Sequence, residues 1–71
     1  MKKPYVGRIV MMGDGTLGTV LDYRASDKEG HYCTVAWYKE NGIDIDHNVH
    51  YTHVSAWMGL LKYELNKNKS Q

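Results

Sequence analysis

The chain falls largely into short strand-like segments, some of which alternate apolar and polar positions with a period of two, the pattern of half-buried strands. The clearest case is His31–Tyr38. Cys33, Val35 and Trp37 fall on one side, and Tyr32, Thr34, Ala36 and Tyr38 on the other. Val6–Met12 follows Pro4 and reads as a first strand, and Gly18–Tyr23 reads as a second. Arg24–Gly30 is polar, ends in glycine and reads as a loop. Glu40-Asn41-Gly42 carries the Asn-Gly hairpin signal. A fourth strand is expected within Ile43–Thr52, where the alternation breaks at Asp46–Asn48 and predicts a bulge or a split.

Residues 53–65 fit two periods. Val54, Trp57, Met58, Leu61 and Leu65 make a helical face, whereas Leu61, Tyr63 and Leu65 make a strand that follows one short 3₁₀ turn. Gly59 costs a continuous helix about 1 kcal/mol relative to alanine. With the strand count, that cost selects the turn followed by a strand. The expected fold is therefore all-β: a five-stranded small barrel over residues 1–65, with a polar, frayed tail at 66–71.

Gly13, Gly15 and Gly18, within GDGTLGTV at 13–20, raise the question of a phosphate cradle. That chemistry needs a helix opening behind the loop, or a Lys followed by Ser or Thr. Here Thr16-Leu17-Gly18-Thr19-Val20-Leu21 follows, which is strand-like. A tight turn fits better. Gly13 and Gly15 would take positive φ, Asp14 suits a turn position, and Gly18 would let the second strand bend or bulge.

Composition narrows the class further. A chain of 71 residues makes one domain with a marginal core. Its single cysteine, Cys33, excludes an intrachain disulfide. No apolar h-region follows Met1-Lys2-Lys3-Pro4, and no apolar run approaches the roughly 20 residues of a membrane span. A cytoplasmic protein without membrane contact is expected. Net charge is +1, with basic ends (Lys2, Lys3, Arg8; Lys62, Lys67, Lys69) around an acidic middle.

Val6-Gly7-Arg8-Ile9-Val10, Gly13 and Gly18-Thr19-Val20, continued by Val35-Ala36-Trp37, Tyr51 and Leu60-Leu61, resemble the KOW and Tudor-like branch of the SH3-like small barrels. The resemblance spans about residues 5–65. Many small bacterial and bacteriophage proteins look like this. It implies that the first and last strands are neighbours, which would bring Lys2, Lys3 and Arg8 towards Lys62, Lys67 and Lys69. The chain lacks the lysines often found in the first loop of a KOW motif, which weighs against direct RNA binding.

Candidate chemistry is sparse. His47, His50 and His53, with His31 elsewhere, suggest a metal site, but on a strand His47 and His53 share a face while His50 points away. Cys33 lies on an inward face, where a lone cysteine is a small core residue. Asp44 and Asp46 alternate with Ile43 and Ile45, as on a solvated strand face. No catalytic residue, metal or cofactor is expected. The six tyrosines are too many for so small a core, so some line a surface. Tyr5, Arg8, Tyr32, Tyr38, Tyr51, Lys62 and Tyr63 are the candidate binding residues. A Tudor-type cage for methylated cations is one use of such tyrosines; a protein-binding patch is the preferred one. The expected function is a non-enzymatic adaptor or inhibitor, encoded by a phage or mobile element and acting on a protein partner. The alternative is a KOW-like module associated with nucleic acid, and the third reading is a small oligomeric enzyme. The sequence sets no oligomeric state.

Overall fold

The computed structural model describes residues 3–28 and 30–69, the last two by backbone alone. The alternating segment around Trp37 forms the central strand, and the elements run β1 (Ile9–Met11), β2 (Leu17–Ser26), β3 (Gly30–Lys39), β4 (Gly42–His50) and α1 (Tyr51–Lys69). The strands make one antiparallel meander in the order β1-β2-β3-β4. Cys33, Val35 and Trp37 face the core as their period requires. Each is at most 2% exposed, and they pack with Val10, Val20, Val49 and Val54.

The sheet is open, with four strands, and does not close into the expected five-stranded barrel. The reason lies in residues 51–69, which form one helix instead of a 3₁₀ turn and a last strand. The helix buries Val54 completely and packs Trp57 and Met58 against the core. The Trp57 ring meets the Trp37 ring edge-on, with centroids 5.0 Å apart. Burying a large apolar side chain contributes roughly 1.5–3 kcal/mol, which outweighs the local cost of Gly59. At the helix start, His50 Nδ1 lies 2.8 Å from Thr52 Oγ1 and accepts the Thr52 N–H at 3.4 Å. The backbone stays helical through Lys69, so residues 66–69 of the expected frayed tail continue α1. The last two residues of the chain lie outside the described residues.

Strand limits also shift. β1 is shorter than the Val6–Met12 expected, because a turn occupies residues 4–7, with Tyr5 in the left-handed region at φ 68°. The Arg8 N–H bonds back to the Tyr5 carbonyl at 3.0 Å. β2 runs on through Arg24, Ala25 and Ser26, paired with Tyr32, His31 and Gly30, so most of the expected loop is ladder. Polar side chains read as a loop there, but backbone pairing needs only backbone groups. The β3–β4 ladder slips between Cys33 and Val35, opposite Asp46–Val49, where the broken alternation placed a bulge. A second slip lies between Val20 and Asp22, not at Gly18.

Candidate binding surfaces

Three surfaces gather most of the candidate residues. The first is a run of rings at one end of the sheet. Tyr5 lies 5.8 Å from Tyr23, Tyr23 5.8 Å from His31, and His31 5.5 Å from Tyr51. The run continues through His50, 4.8 Å from Tyr51, to Tyr32 at 5.3 Å. Polar atoms tie it together. Tyr23 Oη contacts His31 Nδ1, and Ser55 Oγ donates to Tyr5 Oη at 3.2 Å. Three expected binding residues, Tyr5, Tyr32 and Tyr51, therefore share one arc. Tyr23, His31 and His50 complete it. In the sequence His31 and His50 stand out only as metal ligands, and Tyr23 is not singled out; the β2–β3 ladder brings Tyr23 beside His31, and the β3–β4 ladder sets His50 against Tyr32.

The second surface is the sheet face opposite the buried row of Val10, Gly18 and Trp37, bordered by α1 at its β1 edge and free of it towards β4. The ladders line up Ile9, Thr19, Ala36 and Ile45 in one row, and set Met11 beside Leu17 and Tyr38 beside Ile43 in the next. Ala36 is 5% exposed and is covered by its neighbours, whereas Ile9, Leu17, Tyr38, Ile43 and Ile45 stay 41–62% exposed. Tyr38 Oη shares a 2.7 Å hydrogen bond with Thr19 Oγ1, which fixes the ring over β2. Beyond this apolar half the face turns polar. Arg24 donates to Thr34 Oγ1 at 2.8 Å and to the His47 carbonyl, and lies 3.7 Å from Asp22.

The third surface is a groove of about 880 Å³ between α1 and β1. Ile9, Met58, Leu61 and Leu65 line it, with Arg8 and Lys62 alongside. The two cations line one groove because the helix, not a fifth strand, packs along β1. The other cations of the expected cluster do not assemble in this way. Lys3 bonds to Asp22 at 2.8 Å. Lys2 and the Lys69 side chain lie outside the described residues. Tyr63 is 61% exposed on the helix and belongs to none of the three surfaces.

The histidines are dispersed. His50 belongs to the ring arc, His47 gives its carbonyl to Arg24, and His53 stacks on Trp57 with centroids 5.7 Å apart. The strand geometry expected for His47 and His53 does not arise, since His53 is helical. Among the described residues, no group of three His, Cys, Asp or Glu side chains is placed to hold a metal ion. Cys33 is fully buried, and burial pushes its thiol pKa up, the reverse of what a nucleophile needs. No helix among the described residues is long and apolar enough to cross a membrane. No protein-family model matches the chain, and neither a curated protein nor a solved structure does.

Proposed function

We propose that this chain is a small non-enzymatic protein-binding module, an adaptor or inhibitor, and that it contacts its partner through the β3–β4 half of the outer sheet face, which α1 does not border. The supporting observation is the exposure of Tyr38, Ile43 and Ile45 on two adjacent rows of that face. A contiguous apolar patch on so small a protein marks a contact surface. A tyrosine anchored at its hydroxyl and bare on its ring is well suited to an interface. The test is capture of partners from lysate with and without nuclease, by the parent and by Ile43→Glu. Ile43 is 62% exposed, so the substitution leaves the fold intact. Capture that resists nuclease and is lost in Ile43→Glu supports the reading; capture unchanged by the substitution refutes it.

One observation favours a second reading. Arg8 and Lys62 lie along one groove, and cations lining a groove are where a nucleic-acid backbone would be held. This is the function that the KOW resemblance implies. Capture abolished by nuclease would select it.

A further inference from the structure

The groove between α1 and β1 has features that the sheet-face reading does not use. We propose that it is a separate docking site for an acidic amphipathic helix of a partner protein.

The helical side of the groove is regular, with an apolar stripe of Met58, Leu61 and Leu65 beside a second, more polar one. Ser55, Gly59, Lys62 and Asn66 line it at spacings of four, three and four residues, which is one stripe along a helix axis. The two small residues at its head let a second helix come close, at the short end of the roughly 8–10 Å usual between packed helices. Gly59 is informative here. Glycine is disfavoured inside a helix, yet a Cβ at this position would meet no atom within 4 Å. The packing of this chain therefore does not require glycine at 59, and a larger side chain there would extend into the groove.

Charge decides the occupant. Arg8 and Lys62 line the groove itself, and the carboxylates Asp14 and Glu64 stand only in the adjoining hollow that shares Leu61 and Leu65 with it. Among the described residues neither has an ion-pair partner, while Lys3 and Arg24 both pair with Asp22. The groove thus offers two unneutralised cations beside an apolar lining, which complements a helix with leucines on one face and carboxylates at its border. A second copy of this chain would bring its own Arg8 and Lys62 against these. A nucleic acid would meet the cations, but an aliphatic lining without an aromatic side chain gives its bases nothing to stack on.

The probe is a synthetic, fluorescently labelled helical peptide of about five turns, with leucines on one face and glutamates flanking them. A counterpart carries lysine at every glutamate position. Anisotropy is measured on the full chain. The acidic peptide is expected to bind at least about tenfold more tightly than the basic one, and Arg8→Glu with Lys62→Glu should remove that preference. Gly59→Leu fills the groove with a good helix former, so it should lose the peptide while melting no lower than the parent. Ile43→Glu, on the sheet face, should bind the peptide normally.

Equal binding of the two peptides, no binding of the acidic one, or full binding by Gly59→Leu overturns the proposal. So does displacement of the peptide by an oligonucleotide, or a dimer in sedimentation that Gly59→Leu dissolves. Loss of the peptide in Ile43→Glu would also overturn it. A chain that ignores the peptide yet captures a partner through Ile43 keeps the module reading and loses only the groove.

Discussion

Gly18 sits directly across from Trp37 in the β2–β3 ladder, and a Cβ on it would come within 2.6 Å of Trp37 Cε3 and 2.8 Å of the Ala36 carbonyl oxygen. The glycine is there to seat the indole, not to bend the strand, since the ladder slips further along, between Val20 and Asp22. Gly18→Ala forces either the indole or the central strand to move. It should destabilise the fold by about 1–3 kcal/mol, the usual range for overpacking, read as a lower Tm. A variant that melts with the parent would show that the indole does not rest on this glycine.

Trp37 itself is 2% exposed, between Gly18 and the edge of the Trp57 ring. Trp37→Ala should cost about 3–5 kcal/mol. That is a large share of the stability of any small domain, and the variant should lack a cooperative melting transition at room temperature. An unchanged thermal midpoint would refute the assigned parity of β3.

The turn between β1 and β2 separates its glycines. Gly15 has φ 92°, its N–H bonds to the Met12 carbonyl at 2.9 Å, and Asp14 Oδ1 accepts the Thr16 N–H at 2.9 Å. Gly13 is not in the left-handed region, contrary to the expectation for both. Gly15→Ala should therefore cost about 1 kcal/mol or more, and Gly13→Ala close to nothing. The chain leads from this turn into β2, so no helix N-terminus stands behind it to hold a phosphate. ATP or NAD should leave the Tm unchanged. A nucleotide-dependent rise in the parent that Gly15→Ala abolishes would reverse this assignment.

Acid should weaken the fold through its hydrogen-bonded carboxylates. The Lys3 ammonium, donating to Asp22 at 2.8 Å, holds that carboxyl below the usual range, with Arg24 adding to the effect. Asp14 is lowered chiefly by the Thr16 N–H. In each case the folded pKa lies below the unfolded one, so the native state binds fewer protons. The stabilisation is complete above the unfolded value and is lost as pH falls through the folded one. The Tm should hold near neutrality and decline below about pH 4, and Asp22→Asn should make that decline shallower. Both groups are exposed, so the slope is modest. A Tm that climbs on acidification would contradict the sign.

Cys33 should be inert in the folded chain. It is fully buried, and burial raises its thiol pKa, which keeps the reactive thiolate scarce. Labelling by a thiol reagent should proceed only as fast as the chain opens, and should become immediate in denaturant. Rapid stoichiometric labelling under native conditions would show that β3 is more accessible than its packing indicates.

What was legible in the sequence is what local chemistry controls. The inward set Cys33, Val35 and Trp37 follows from the two-residue period of a strand. The glycine turn before Leu17 and the disturbed ladder near Asp46–Val49 follow from residue types within a few positions of each other. Residues 51–69 were decided elsewhere. Gly59 argues locally against a helix, and only the apolar surface offered by Val10, Val35 and Trp37 makes burying Val54, Trp57 and Met58 worth more than that cost. That Arg8 and Lys62 share a groove depends on this outcome, because it needs the helix along β1. The ring arc likewise depends on the β2–β3 register, which places Tyr23 within reach of His31, and on the turn before β1, which brings Tyr5 to Tyr23. Each of these pairs lies too far apart in sequence for local preference to act on. Packing of the helix on the sheet, and pairing of one strand with the next, supplied the difference.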